Sequence, residues 1–525
     1  MKFMKKKIKR VISAILILSL TVFTLFALIF SASCSNNAAV KDNSGNSNGI
    51  INNDTEPPIN QNEDDPLSEE QSAQSEFIPV DGLDYDGYKF RILGFDGKAN
   101  AWQAVAISEI IAEEEIGEPI HDAVYKRNRE VEELYNIQID IVPVTYPNRD
   151  DFARIASKAI MAGDDLFDTA FLLGSAIPTI LGKKNMAYDL TTIPSFDLSK
   201  SWWDQNSKED LSIGNKLTMV IGDVNLYSSF APMVIYANKQ IMQEYSIDNL
   251  YQLVRDGEWT WDALHDIARA TAKDIDGDGV ITKDDQIGFS LEATHLYVAI
   301  NSAGGLITPK NNQDIPELAP NIEKISSVID KVLPIYKDTS TSIFGNSITG
   351  YNNPYFEFLV PKFRDGGIMF LIQQLLISFE LRSMEADFAI LPFPKYDKNQ
   401  ENYGSVITSA FATYTVIPTT CSDTERTANI LQAMGFYSQK YITPAYYDVT
   451  VTNKLMRDDD SIEMLDIILH NRVFDLAFLY DWGGIAGIFE SMALKKEAEN
   501  TFVSQLEKNE AKIKAAIQNT LDELE

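Results

Sequence analysis

From residue 85 onward, stretches of apolar residues switch between a period of two and a period of 3.6, and that alternation admits few architectures. Tyr88-Lys-Phe-Arg-Ile-Leu-Gly94 alternates as a strand before a glycine turn. Ile120, Val124, Val131, Leu134 and Tyr135 then share one helical face, with Lys126, Arg127, Arg129 and Glu130 on the other. Ile137–Val144 alternates again. Strand, helix and strand at this spacing predict parallel α/β units. A helix over Asp151–Ala162 and an apolar strand over Asp168–Leu173 continue the pattern. Ser422-Asp-Thr-Glu425 reads as a capping box that opens a helix through Tyr441. The stripe Phe502, Leu506, Ile513, Ile517, Leu521 and Leu524 predicts a closing helix. No internal repeat is visible.

The first 34 residues belong to a different regime. Lys2, Lys5, Lys6, Lys7, Lys9 and Arg10 precede the apolar run Val11–Phe30, which stops at Ser31-Ala32-Ser33-Cys34. Basic start, apolar run and small residues make an export signal, which is set aside from fold reasoning. Small residues before Cys34 resemble a bacterial lipobox, in which that cysteine receives the lipid; Ser31 stands where Leu, Val or Ile is usual. An uncleaved anchor is the alternative, since about 20 apolar residues span a bilayer. Residues 35–80 are Asn, Ser, Asp, Glu, Gln and Pro with almost no aromatics. Such a segment cannot bury enough apolar surface to offset its ordering entropy, so a disordered tether is expected, reaching roughly 35–40 Å.

About 445 residues follow the tether, too many for one core and enough for two lobes. Lys+Arg 45 against Asp+Glu 76 gives a net charge of −31, which argues against nucleic acid or anionic lipid as partners. If Cys34 is lipidated, the second cysteine, Cys421, has no mate, and stability rests on core burial. His121, His265, His295 and His470 show no metal-ligand spacing.

The sharpest local motif is Asp274-Ile-Asp276-Gly-Asp278-Gly-Val280-Ile-Thr282-Lys-Asp-Asp285. Acids at positions 1, 3 and 5, glycine at 6, the Val280 carbonyl at 7, Thr282 at 9 and an acid at 12 match the twelve-residue calcium loop. Asp285 replaces the usual Glu, as in dockerin-type loops. Calcium is the expected cofactor, as a structural ion, with an empty acidic turn as the alternative; a helix over Trp261–Thr271 precedes the loop.

Trp202-Trp203-Asp204, Tyr227 and Tyr480-Asp481-Trp482 set rings beside acids. Sugar C–H faces stack on rings while hydroxyls bond to acids and amides, so Trp202, Trp203, Asp204, Asp481 and Trp482 are candidate ligand contacts, against core packing as the alternative. Trp259 and Trp261 are expected to buttress the helix before the acidic loop. No GxxxxGK(S/T) or HExxH motif, no GxSxG elbow in the body that follows the tether, and no paired-cysteine spacing is present. Paired carboxylates from distant segments remain open in so acidic a chain.

Several segments together resemble the extracellular solute-binding proteins of bacterial ABC importers, in the sugar-binding family 1 branch of Gram-positive bacteria. They are Ser201–Asn206, Leu211–Leu226, Val234–Tyr245, Gly257–Leu264, the acidic loop ending in Ile287-Gly-Phe289, and Asp387–Asp397. The resemblance covers roughly residues 85–525. It implies an α/β, two-lobed periplasmic-binding-protein-like fold, with a ligand cleft between lobes joined by hinge strands. The implied division is a signal at 1–33, a tether at 34–80, lobe one at 81–226 and 402–441, and lobe two at 227–401 and 442–525. The first crossover falls near Ile221–Ser228, which directs Asp223, Asn225 and Tyr227 to the cleft. The implied function is a monomeric lipoprotein on the outer face of the cell membrane. It is not an enzyme; it captures an oligosaccharide by lobe closure and delivers it to a permease. A tethered glycan hydrolase and a calcium-stabilised adhesion or scaffold module are the competing readings.

Overall fold

The computed structural model describes residues 77–80, 82–98, 108–145, 149–381, 384–452 and 459–524. The signal at 1–33, Cys34 and most of the tether lie outside the described residues. Among the described residues no helix is long and apolar enough to cross a membrane.

The strands are β1 (Tyr88–Phe95), β2 (Ile137–Val144), β3 (Thr169–Leu173), β4 (Met233–Asn238), β5 (Ile287–Leu291), β6 (Ser342–Phe344), β7 (Ile368–Gln374), β8 (Phe388–Leu391), β9 (Ser405–Val406), β10 (Thr413–Val416) and β11 (Arg472–Val473). The first sheet has the order β10-β3-β1-β2. β1 and β2 run parallel, from Tyr88 opposite Ile137 to Phe95 opposite Val144. The helix Pro119–Tyr135 makes this crossover. Pro119 sits in its first turn, the Glu118 carboxylate accepts from the His121 N–H at 2.7 Å, and Asn136 ends it with φ 49°. Its buried stripe holds Ile120, Val124, Val131 and Tyr135 as expected, and also Arg127 and Asn128. Those two polar side chains are tolerated because both donate to the Ile110 carbonyl, at 3.0 and 2.8 Å.

The second sheet has the order β6-β5-β7-β4-β8. β5 is parallel to β6 and β7, while β4 is antiparallel to β7 and β8. β4, β5 and β8 are buried at every position, which is the pattern of strands covered on both faces.

The chain passes between the sheets along three neighbouring stretches. Val220 bridges Thr415 and Pro232 bridges Ile407, so the outgoing and returning segments lie side by side. β9 pairs in parallel with β11, adding the third. Asn225 ties the outgoing stretch together, its Oδ1 accepting from the Gly222 N–H at 3.0 Å and the Thr415 hydroxyl at 2.9 Å.

Two local expectations change. The helix after 422 starts at Thr424 with Asp423, not Ser422, as its cap, because extended Asp423 sets its carboxylate on the Arg426 N–H at 2.9 Å. It ends at Tyr437 and runs into a π turn, Ser438–Ile442, before the helix Thr443–Thr452. In the closing helix, Phe502–Leu524, Thr520 is buried while Leu521 and Leu524 are only partly covered.

Gln432, on the helix Thr424–Tyr437, organises the core of the first lobe. Its Oε1 accepts both indole N–H groups of Trp202 and Trp203, at 2.7 and 2.8 Å, and its Nε2 donates to the Asp197 carbonyl at 3.0 Å. Gln432→Leu keeps the volume but strands two buried indole donors. It should destabilise the fold by about 2–4 kcal/mol, read as a fall in the urea midpoint at unchanged m-value.

Candidate functional site

β5 and β7 run side by side and in parallel, and open α/β sheets place ligand clefts beyond such carboxyl ends. Here a cavity of about 370 Å³ lies beyond Leu291 and Gln374. Its facing wall is Ile407–Phe411, the stretch that leads into β10 of the first sheet. That wall is held to the end of β3, because the Ser175 N–H donates to the Ser409 carbonyl at 3.0 Å. Gly174 is required there, since a Cβ would come within 2.8 Å of the Ser409 Cα. Phe474–Leu479 after β11, together with Glu490, completes the lining. The second sheet, the returning stretch with Tyr414 of β10, and the segment that follows β11 therefore meet at one cavity.

Polar groups converge on it from known positions. Gln373 Nε2 donates to Glu292 Oε1 at 2.8 Å, and the Glu292 N–H donates to His295 Nδ1 at 3.0 Å. Burial pushes the Glu292 carboxyl up to about 8, an effect that Gln373 offsets only in part. Burial drives His295 down to about 3, so its ring is neutral. Asp475 caps the helix Leu476–Tyr480 and is already occupied, by the N–H groups of Ile307 and Ala477 and the Thr308 hydroxyl, at 2.6, 2.9 and 2.9 Å. Tyr297 stacks on Phe478, and Tyr355 and Phe356 add further rings. Flat apolar faces beside amides, hydroxyls and carboxylates are the chemistry expected for sugar binding, carried here by other residues than those singled out from sequence.

Among the residues singled out from sequence, none lines this cavity. Trp202 and Trp203 are 1% exposed and belong to the Gln432 core, and a glycine at 222 is needed beneath Trp203. Trp482 is buried, stacked on Tyr480, and donates to Thr520 Oγ1 at 2.8 Å. Tyr227 packs against Phe95, and Asn225 serves the crossing stretch. Asp204 caps the helix Gln205–Leu211 and pairs with Arg472 at 2.6 Å. Asp481 is exposed in a left-handed turn, accepting from the Ala486 N–H. Asp223 opens instead onto a smaller cavity of about 140 Å³ with Tyr446, Tyr447 and Arg472. Burial raises its carboxyl to about 7 against the pull of Arg472. The cavity residues carried no local signal; only the pairing of β5 with β7 brings Glu292 and Gln373 together. Phe474 and Phe478 lie within a helical turn or two of Tyr480-Asp481-Trp482, on the face that meets the cavity.

The acidic loop follows the helix Trp261–Thr271 directly. One oxygen from each of Asp274, Asp276 and Asp278 falls within 4.8 Å of the others. Asp274 accepts from the Gly277 and Gly279 N–H groups, both at 2.7 Å, and the Ile281 N–H anchors the loop to the Thr339 carbonyl. Asp285 stands apart from the trio. Its carboxylate receives the N–H groups of Ile275 and Thr282 and the Thr282 hydroxyl, each at 2.8 Å, so it closes the loop through hydrogen bonds.

No protein-family model and no curated protein matches the chain. Solved structures match across most of its length. An ABC substrate-binding protein from Listeria monocytogenes, in complex with cycloalternan, aligns at TM-score 0.50 and 13% identity over 84% of this chain and 99% of that one. UgpB from Mycobacterium tuberculosis, in complex with glycerophosphocholine, aligns at 0.52 and 15% over 75% and 95%. A directed-evolution product of a de novo designed esterase aligns at 0.56 and 13% over 82% and 99%. Likeness at these identities is likeness of fold. The chain has the two-lobed, periplasmic-binding-protein-like α/β fold that the sequence resemblance implied.

One buried carboxylate joins the crossing stretches. Glu109 Oε2 accepts from the Tyr227 N–H at 3.2 Å and the Thr413 hydroxyl at 3.1 Å. Burial pushes its carboxyl from 4.5 up to about 8, with these bonds and the Arg127 charge opposing. The folded protein keeps a proton that the unfolded chain releases near 4.5, so this contribution to stability is present in acid and lost as pH rises toward 8. Glu109→Gln should flatten that loss, making the variant more stable than the parent at pH 8.5 by roughly 1–3 kcal/mol, with a smaller difference at pH 5 in urea unfolding.

Proposed function

We propose that this protein is a solute-binding protein that captures a carbohydrate between its lobes and hands it to an ABC importer without chemically altering it. The observation that carries the reading is the cavity between the end of the second sheet and the returning stretch that leads into β10 of the first, lined by rings and hydrogen-bonding side chains. A ligand gripped there touches both lobes at once, so binding energy favours the closed arrangement, and a permease can read closure. Two proteins of the same fold are described in complex with cycloalternan and glycerophosphocholine, which supports small-solute capture. The export signal and Cys34 support a lipid-anchored place on the outer face of the membrane, with the segment to residue 80 as tether.

We also propose that the acidic loop holds a structural calcium ion through Asp274, Asp276, Asp278 and the Val280 carbonyl. Three hard oxygens already gathered in a tight turn support this, with Thr282 and Asp285 as the further ligands that the twelve-residue spacing assigns.

Thermal unfolding of the mature chain against an oligosaccharide panel tests the first proposal. A ligand at one hundred times its Kd should add about 2.7 kcal/mol and raise Tm by a few degrees, with the sugar recovered intact by chromatography. Cleavage of the sugar would move the reading to a hydrolase, and no shift with any carbohydrate would overturn it. Tyr297→Ala should weaken binding about tenfold and also lower Tm by several degrees, since the ring packs on Phe478. For the loop, adding calcium to chelator-treated protein should raise Tm, and Asp276→Asn should abolish that rise; a calcium-independent Tm in the parent would sink the ion.

A further inference from the structure

Charge inside the cavity is one-sided. Glu292, Asp475 and Glu490 contribute carboxylates, and among the described lining residues there is no lysine or arginine. The one basic ring, His295, takes the Glu292 N–H on Nδ1 and is held neutral by burial. Asp475 is consumed by its helix cap and by Thr308. Glu292 is different: its side chain has a single partner, the uncharged Gln373 amide on Oε1, and Oε2 is left to the cavity. Glu490, on the helix Ala486–Leu494, adds a second carboxylate at the rim.

A carboxyl drawn out of water with no opposing charge keeps its proton, and a cation brought in beside it is what lets it ionise. The rings point the same way. Tyr297, Tyr355, Phe356 and Phe478 line the same space, and aromatic faces attract cations within about 6 Å. Tyr355 lies close enough to Glu292 for the carboxylate charge to raise its hydroxyl pKa further, beyond the larger effect of burial. Anionic sugars find no lysine or arginine among the described lining residues to receive them.

We propose that the solute captured here is an amino sugar, a carbohydrate whose protonated amine sits between the Glu292 carboxylate and the aromatic rings. The inference rests on the reading of the cavity as a carbohydrate site and names the substrate class within it. Rings take the apolar faces of the sugar, Gln373 and Gln374 take hydroxyls, and the ammonium supplies the charge that the cavity lacks. A bound ammonium also returns Glu292 to its ionised form, turning its desolvation into an attraction specific to this ligand class.

Calorimetric titration of the mature chain at pH 6.5 with matched probes tests this. The probes are glucosamine and galactosamine oligomers, their N-acetyl forms, the neutral glucose and galactose oligomers of the same linkage, and spermidine as an amine without a sugar. An amine-bearing oligomer should bind at least about tenfold tighter than its neutral and N-acetyl counterparts, since hydrogen bonds to charged groups carry that much. Glu292→Gln should remove the advantage, read as the ratio of amine-bearing to neutral oligomer affinity within the same variant falling to about one. The parent comparison stands by itself if that variant fails to fold, and Glu490→Gln gives a second variant at the rim. Equal binding of neutral and amine-bearing oligomers overturns the amino-sugar inference and leaves the carbohydrate reading intact. Spermidine binding as tightly as the oligomers overturns the sugar requirement itself. No binding by any sugar overturns both.

Discussion

Everything functional in this molecule depends on three stretches of backbone that cross between two sheets and hold one another. The Val220–Thr415 and Pro232–Ile407 bridges, the β9–β11 pairing and the Asn225–Thr415 bond make them a single strap. The two sheets have no other covalent route between them. A few backbone pairs therefore set both the spacing of the lobes and the axis about which they can move. Glu109 adds a titratable element to this strap, because one carboxylate oxygen receives both the outgoing and the returning chain. Hinges elsewhere absorb motion at a few element ends, and here the returning stretch runs from the strap at Ile407 directly into the cavity wall.

The tryptophans show how burial and hydrogen bonding divide the work. An indole is large enough to dominate a core, and its N–H is usually met by an acceptor once water is gone, although that of Trp261 is buried without one among the described residues. Gln432 serves two of them at once, Pro392 accepts from Trp259 and Thr520 from Trp482. Each indole thereby welds two distant segments. Trp202 and Trp203 join the crossing region to the helix Thr424–Tyr437, and Trp482 joins the turn after Tyr480 to the closing helix. Rings positioned in this way have no face left for a ligand.

The cavity rings are arranged differently. Tyr297, Tyr355 and Phe478 come from segments next to strand ends, where the backbone turns and side chains project into the gap between sheets. The polar groups beside them are either committed, like Asp475, or left with spare capacity, like Glu292. Uncommitted polar capacity in a partly desolvated gap is what distinguishes a binding surface from a core. It is also why a chain with a net charge of −31 carries its informative carboxylates inside rather than on the surface.

Local periodicity was enough to read β1, the helix Pro119–Tyr135, β2, β3 and the closing helix, because the amphipathic faces of these elements are decided by neighbours within one or two turns. The acidic loop was legible for the same reason, since its chemistry lies within twelve residues. Asp285, at its twelfth position, also closes the loop by accepting the Ile275 and Thr282 N–H groups. The kind of chemistry, rings beside acids, also followed from sequence. Which rings and acids did not. Trp202, Trp203 and Trp482 look like ligand contacts in one dimension and are core in three, because adjacency in the chain says nothing about which face a distant helix will cover. Glu292 and Gln373 lie 81 residues apart and meet only because β5 pairs with β7. Sequence by itself determined the elements, the α/β class and the acidic loop, all governed by short-range patterning. The location of the cavity and the identity of its charge were decided by strand pairing and lobe packing, which are set by long-range contacts that no local pattern encodes.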